Sequence, residues 1–401
     1  MYERFIARQP IFDYRLKVFA YELLFRDGPQ NVFRPRQDAS SSVIVDATML
    51  FDFQTLIGPK KAFINADENA ILRGALKLLP ADRIIVEILE TVRPSCEIVA
   101  ACAELRDAGY VLALDDFVDH LKWTPLLHLV RFLKIDFRLS DEGARRAMAE
   151  RYLAKGLQLL AEKVETQNEL DQARELGYTY FQGYFFCKPD IVEGREIPGN
   201  RLNYLQLVEA VSGAEFDPSK IEETLKREPS LVYKLLRYLN SPLLGLRSEI
   251  RSISHAIALI GEREFRRWVT IVAIVSMADD KSPELIRTAL TRAYFCEEIS
   301  SRLGMADKKS DLFLMGLLSV TDAILDMPMV SVLANLPVSA DVRTALNGGA
   351  NRFRDVYDML LSYEQADWER LPALAAKIGA PEDGIAECYL SATKRANGFP
   401  L

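Results

Sequence analysis

The chain has 401 residues, of which 49% are hydrophobic and 27% charged, and its formal net charge is −7. That length suits two domains, with one large domain as the alternative, and either half has enough apolar residues to bury a core. The acidic balance argues against the basic footprint of general nucleic-acid binding, but leaves room for a small phosphate ligand held by one or two arginines.

The first half alternates short apolar runs with helical patterns. The runs are FIARQPIFD from Phe5, VFAYELLFR from Val18, AFINAD from Ala62, IIVEILE from Ile84, VLALDDF from Val111, VRFLKID from Val130, LQLLAEKVE from Leu157 and YFQGYFF from Tyr180. Several are rich in β-branched and aromatic residues and bounded by Gly, Pro or Asp, as buried strands should be. Amphipathic segments separate most of them, such as CEIVAACAELRDAG from Cys96, which ends on a glycine suited to a helix C-cap. Eight strands in this arrangement predict a closed parallel barrel. Only the DYRLK turn separates the first two runs, too short for a parallel crossover, so these two should form an antiparallel hairpin and one barrel strand should be reversed. The Pro-, Gly- and charge-rich segment from Cys187 reads as a linker, and helical periodicity runs from Arg201 onwards. The expected organisation is a barrel over 1–190, a linker over 191–200 and an all-helical domain over 201–401.

Polar residues recur near the C-terminal ends of the barrel runs: Glu22, Asn65, Glu87, Asp115, Asp116, Lys134, Glu162 and Gln182. In a barrel these ends form the face that carries active sites. Converging carboxylates repel one another unless cations are present, and oxygen-rich sets of this kind suit magnesium, manganese or calcium. Two such ions can activate a water and stabilise the leaving oxygen of a phosphoester. The alternative is a ring of solvated strand ends, caps and turns.

In their order, these residues resemble the EAL domain, the family that linearises cyclic di-GMP. Its Glu-Ala-Leu-x-Arg motif corresponds to Glu22-Leu23-Leu24-Phe25-Arg26, with Leu23 in place of the signature alanine. Its strand-end asparagine falls on Asn65, its Glu-x-x-Glu motif on Glu87 and Glu90, and its Asp-Asp-Phe motif on Asp115, Asp116 and Phe117. Lys-Ile-Asp falls on Lys134 to Asp136, Ala-Glu-x-Val-Glu-Thr on Ala161 to Thr166, and Gln-Gly-Tyr on Gln182 to Tyr184. The resemblance implies a modified TIM barrel holding Mg²⁺ or Mn²⁺ through Glu22, Asn65, Glu87, Asp115 and Asp116. It also implies that Arg26 grips a ligand phosphate, that Lys134, Glu162 and Gln182 complete the catalytic shell, and that Glu90 anchors the following loop.

Three departures bear on activity. The family's glycine-containing loop after Asp-Asp-Phe reads VDHLKWTPLL from Val118, Leu89 stands where a threonine is usual, and Lys163 replaces a glycine. Positions that need glycine's backbone freedom are poorly filled by Val118 or His120, so the loop must take another path. Metal sites lose affinity or activity when their supporting partners change, which points to weak or absent turnover.

The segment from Tyr233 to Trp268 resembles the HDOD domain, through Leu235-Leu236-Arg237, Asn240-Ser241, Ile250 to Ile253, Ala256-Ile257 and Ile260-Gly261. HDOD domains are related to HD metal phosphohydrolases but lack their ligands. Ser319 and Val320 stand where an HD enzyme would carry His-Asp, and the chain has three histidines, His120, His128 and His255. This half therefore reads as a module that binds protein partners or transmits a signal, with Asp322 a surface or capping residue. Asn240-Ser241-Pro242 reads as a helix-stop turn or a recognition surface. Arg263, Arg266 and Arg267 form a solvated helix face beside a buried Trp268, or else face an anionic partner.

Cys96, Cys102, Cys187, Cys296 and Cys388 form no CxxC pair, and an odd count argues against a disulfide framework or zinc knuckle. With no signal-peptide core and no membrane-length apolar run, a cytoplasmic bacterial regulator with no membrane partner is expected. Three functions stay open: a cyclic-di-GMP-binding regulator of weak or lost hydrolytic activity, an active phosphodiesterase, and a scaffold that binds no nucleotide. The resemblance also implies a homodimer, although the altered loop changes the usual interface.

Overall fold

The DYRLK turn folds as its length dictates. Asp13 O accepts the Leu16 N–H, and Asp13 Oδ1 accepts the N–H groups of Arg15 and Lys17. This joins β1 (Arg4–Asp13) to β2 (Val18–Asp27) in antiparallel register, with a bulge between Ile11 and Phe12. The computed structural model describes residues 4–27, 56–188, 199–212, 221, 253–278, 281–334, 336 and 338–399.

The remaining strands are β3 (Lys61–Ala66), β4 (Ile84–Ile88), β5 (Val111–Leu114), β6 (Phe132–Asp136), β7 (Gln158–Glu162) and β8 (Tyr180–Gln182). They close a barrel in sequence order. Strands β2 to β8 run parallel, and β1 is antiparallel to both β2 and β8. The eight predicted runs and the single reversed strand are all present.

Among the described residues, the helices between the barrel strands include α1 (Glu68–Leu72), α2 (Cys96–Asp107), α3 (Glu142–Leu153) and α4 (Gln167–Glu175). Each starts on a side-chain cap, from Asp67, Ser95, Asp141 and Thr166 in turn. Thr166 and Glu169 complete a reciprocal capping box. The β5–β6 connection carries only a 3₁₀ turn, Leu121–Trp123.

Inside the barrel the period-two alternation of strands builds two layers. The lower layer is apolar: Ile11, Ala20, Phe63, Ile85, Ala113, Phe132 and Leu160, with Tyr180 packed against it. Two residues further toward the mouth, the same strands carry Gln9, Glu22, Asn65, Glu87, Asp115, Lys134, Glu162 and Gln182.

The helical half contains α5 (Gly199–Ser212), α6 (Ile253–Met277), α7 (Pro283–Arg302), α8 (Lys309–Leu318), α9 (Thr321–Leu325), α10 (Met329–Ala334), α11 (Ala340–Leu346), α12 (Arg352–Glu364), α13 (Leu371–Ile378) and α14 (Glu382–Asn397). Helix α6 is interrupted at Gly261, which takes φ 80°. At Gly316 a Cβ would lie 2.5 Å from the Arg292 backbone, so α7 and α8 cross at a glycine. The motif residues from Leu235 to Arg251 and most of the expected linker lie outside the described residues.

The chain divides into two compact units. One comprises the described residues of Met1–Phe186 with Met359–Leu390, and the other those of Cys187–Asp358 with Ser391–Leu401. In the first, Tyr363 is fully buried and its hydroxyl donates to Ile6 O at 3.1 Å. Leu390 packs against the barrel's apolar cluster.

Candidate active site

At the barrel mouth one buried ammonium faces four carboxylates. Lys134 Nζ lies 3.3 Å from Glu22, 3.2 Å from Asp115 and 2.7 Å from Glu162, and it also pairs with Glu87. Lys134 is 1% exposed and Glu87 0%. One positive charge among four carboxyl groups leaves a large negative excess in a place where charge is poorly solvated.

The titration behaviour follows. Burial pushes Glu87 well above the carboxylate range, helped by Glu22 and opposed by Lys134. Burial likewise pushes Glu162 up to about 8, against the pull of Lys134. Asp115 is raised by burial but lowered more by Lys134 and its hydrogen bonds, so it ends below its usual value. Burial disfavours the Lys134 ammonium, yet Glu162, Glu22, Glu87 and Asp115 together hold its pKa well above that of an ordinary lysine. Lys134 is therefore a fixed cation at neutral pH and not a base.

Gln182 Nε2 donates to Glu22 Oε2 at 2.7 Å and to Gln9 Oε1 at 3.0 Å. Four buried oxygens here, Asn65 Oδ1, Glu87 Oε2, Glu162 Oε2 and Gln182 Oε1, have no hydrogen-bond partner. Unpaired buried oxygens are costly, and a divalent cation is the partner that would satisfy several at once. Glu22, Glu87 and Glu162 can bring one oxygen each within 4.8 Å of one another, as can Glu90, Asp115 and Asp116. The oxygen-only donor set fits Mg²⁺, Mn²⁺ or Ca²⁺.

The outer rim is more exposed. Asp116 takes φ 39°, and burial together with the Asp115 charge raises its pKa. Lys163, at φ 55°, pairs with Asp136 and lies 3.8 Å from Asp116. The Glu90 carboxylate is exposed, while its carbonyl accepts from Lys122 Nζ at 3.0 Å. Arg26 belongs to β2, but its side chain lies outside the described residues.

The rebuilt loop is packed. Trp123 is 1% exposed, Lys122 stacks on it at 4.3 Å, and Phe117 meets Tyr152 edge-on at 5.2 Å. Asp119 accepts from Tyr152 Oη at 2.5 Å and pairs with Arg151 at 2.6 Å. His120 accepts the Lys122 N–H through Nδ1, and both His120 and His128 are exposed. Neither joins a metal-ligating group among the described residues.

Chain-order reasoning missed Gln9. It lies in the middle of β1, opposite Glu22, and because β1 is reversed the residues on the N-terminal side of Ile11 lead toward the mouth. A search of C-terminal strand ends passes over it.

In the helical unit, Arg292 Nη1 bonds Ser319 Oγ at 3.3 Å and Tyr357 Oη at 3.1 Å. Asp322 is half-buried, its carboxylate accepts the Ala323 N–H, and burial pushes its pKa up to about 6. Ser319 is thus engaged by a guanidinium, in a cluster of Arg292, Ser319 and Tyr357. The arginine run is not a uniformly solvated face. Arg263 is exposed, but Arg267 forks onto buried Glu297 with two 2.8 Å bonds and stacks on Phe313 at 4.1 Å. Trp268 is buried. None of the five cysteines is in a disulfide. No helix among the described residues is long and apolar enough to cross a membrane.

Comparison with known proteins adds the following. The EAL domain model matches residues 60–189 and the HDOD domain model residues 198–334. A Vibrio cholerae protein named cyclic di-GMP phosphodiesterase CdgJ is 32% identical over 98% of this chain and 92% of its own length. The Bacillus subtilis protein named uncharacterized protein YuxH is 31% identical over 97% of each chain. Among solved structures, Klebsiella pneumoniae BlrP1, in a calcium and cyclic-di-GMP complex, matches at 22% identity with a TM-score of 0.39, covering 45% of this chain and 54% of its own.

Proposed function

The chain belongs to the family in which an EAL domain is followed by an HDOD domain, and we propose that its barrel binds cyclic di-GMP with divalent metal and hydrolyses it to the linear dinucleotide. The observation that carries this is the set of four partnerless buried oxygens around Lys134. The phosphodiesterase name of the Vibrio relative supports the same substrate.

Glu22, Asn65, Glu87, Asp115 and Asp116 would hold Mg²⁺ or Mn²⁺. When bound, the metal would polarise a phosphoryl oxygen and make an adjacent water a better nucleophile. Water oxygen bonds to phosphorus, the bond from phosphorus to one 3′ oxygen breaks, and that oxygen takes a proton. The Lys134 ammonium is placed to stabilise the negative charge that develops on phosphoryl oxygens. Glu162, whose proton is held up to about 8 without metal, is the candidate for moving a proton. Gln182 fixes the Glu22 carboxylate. Arg26 is assigned a phosphate, for which a planar guanidinium is suited. The HDOD half is assigned protein partners.

A second reading, binding with little turnover, is favoured by Lys163. Its ammonium already lies beside Asp116 and Asp136, where it competes with a second metal. Calorimetric titration of cyclic di-GMP in Ca²⁺ tests the common ground of both. Binding that needs the ion and is lost in Glu22→Ala is expected. Binding indifferent to both changes would reject the site.

A further inference from the structure

The cavity at the barrel mouth, about 530 Å³, is lined by Glu22, Asp115 and Glu162 from the strands, and also by Gln365, Ala366 and Asp367. These three connect α12 to α13, nearly two hundred residues beyond the last barrel strand, within the same compact unit. Their placement is built. Tyr363 is buried and bonds Ile6 O on β1, and its ring meets Trp368 edge-on at 5.3 Å and Tyr389 at 4.7 Å. Ser362 Oγ bonds Asp367 O at 2.9 Å, and Asp367 Oδ1 accepts the Arg370 N–H at 3.1 Å. Ala366 is held at φ 55°. Gln9 Nε2 donates to Glu364 O at 3.4 Å, while Gln9 Oε1 accepts from the Gln182 amide that holds Glu22. A chain of polar contacts therefore links the last residue of α12, next to the connector, to a candidate metal ligand.

We propose that the connector Gln365–Asp367 is a working wall of the barrel site, which adds negative charge for the cation through Asp367 and limits the entry of the dinucleotide at Gln365. The proposal rests on the reading of the barrel as a metal and cyclic-dinucleotide site. It implies that a barrel cut off from its C-terminal segment lacks one side of its pocket.

Calorimetry on the full chain, first with Mn²⁺ alone, tests it. Asp367→Lys should weaken Mn²⁺ by at least about threefold through local charge. Asp367→Asn, which keeps an acceptor for Arg370, should give a smaller shift in the same direction. Glu369→Lys makes the same charge change at an exposed position that does not line the cavity, and should leave Mn²⁺ binding unchanged. Gln365 is exposed, so Gln365→Trp should fold, and it should raise the Kd for cyclic di-GMP in Ca²⁺ at least about fivefold by obstruction. Equal Mn²⁺ shifts in Asp367→Lys and Glu369→Lys, or a Gln365→Trp protein that binds the dinucleotide as wild type does, would overturn the wall. If wild type binds Mn²⁺ but no cyclic di-GMP, the ligand reading fails, and the contrast between the two lysine variants still decides the wall. Wild type that takes up neither contradicts both.

Discussion

Lys134 is the residue on which the electrostatics of the mouth turn. Its ammonium is the cation in contact with Glu22, Glu87, Asp115 and Glu162 among the described residues. Replacing it by methionine leaves the carboxyl groups facing one another, at a cost of about 3 kcal/mol or more. Thermal melts should show Lys134→Met strongly destabilised without metal and largely rescued by Mn²⁺; an unchanged melting temperature would contradict the assignment. The raised Glu162 sets a pH dependence of known sign. A carboxyl group whose folded pKa exceeds its unfolded value stabilises fully below the unfolded value, and that stability is lost as pH rises through the folded one. Metal-free protein should therefore lose stability between the ordinary carboxylate range and about 8, with Mn²⁺ flattening the decline. Melts that rise over the same window would refute it. The polar ring was legible in the sequence because Asn65, Glu87, Asp115, Lys134, Glu162 and Gln182 stand at or within two residues of the C-terminal end of their strands, with Glu22 further back in β2. Gln9 was not, because it lies inside a reversed strand and reaches the mouth opposite Glu22 rather than from a C-terminal strand end.

At the scale of elements, two-residue alternation does most of the construction. Each strand that gives the lower layer an apolar side chain gives the mouth a polar one two positions away, as Phe63 and Asn65 or Ile85 and Glu87 do. The β7 and β8 ends meet at Gly183, where a Cβ would lie 2.0 Å from Val164 O. Gly183→Ala should shift Gln182 or unfold the mouth, read as lost Mn²⁺ binding; wild-type affinity would show that the backbone relaxes freely. The loop after Phe117 was legible as altered but not in its new form, since its support comes from Tyr152 and Arg151 on α3. Trp123→Ala should cost about 3–5 kcal/mol, measured by denaturant unfolding, and a loss below 1 kcal/mol would show that the loop is not packed as described.

At the scale of the molecule, an eight-run barrel followed by helices could be read from periodicity. The return of Met359–Leu390 to the barrel unit could not, because nothing local in Tyr363 or Gln365 announces a partner more than three hundred residues away. Long-range packing of this kind depends on complementary surfaces and leaves no periodic trace. It makes truncation informative: a protein ending before Met359 uncovers the Ile6 region and should be less stable than the full chain, measured by melting of the barrel. The central claim is that the carboxylates around Lys134 form a metal site that opens cyclic di-GMP. Chromatography of purified full-length protein incubated with cyclic di-GMP and excess Mn²⁺ tests it most directly. Linear dinucleotide that forms with wild type and disappears in Glu87→Gln is the predicted result. Folded wild-type protein that leaves the cyclic dinucleotide intact would contradict it.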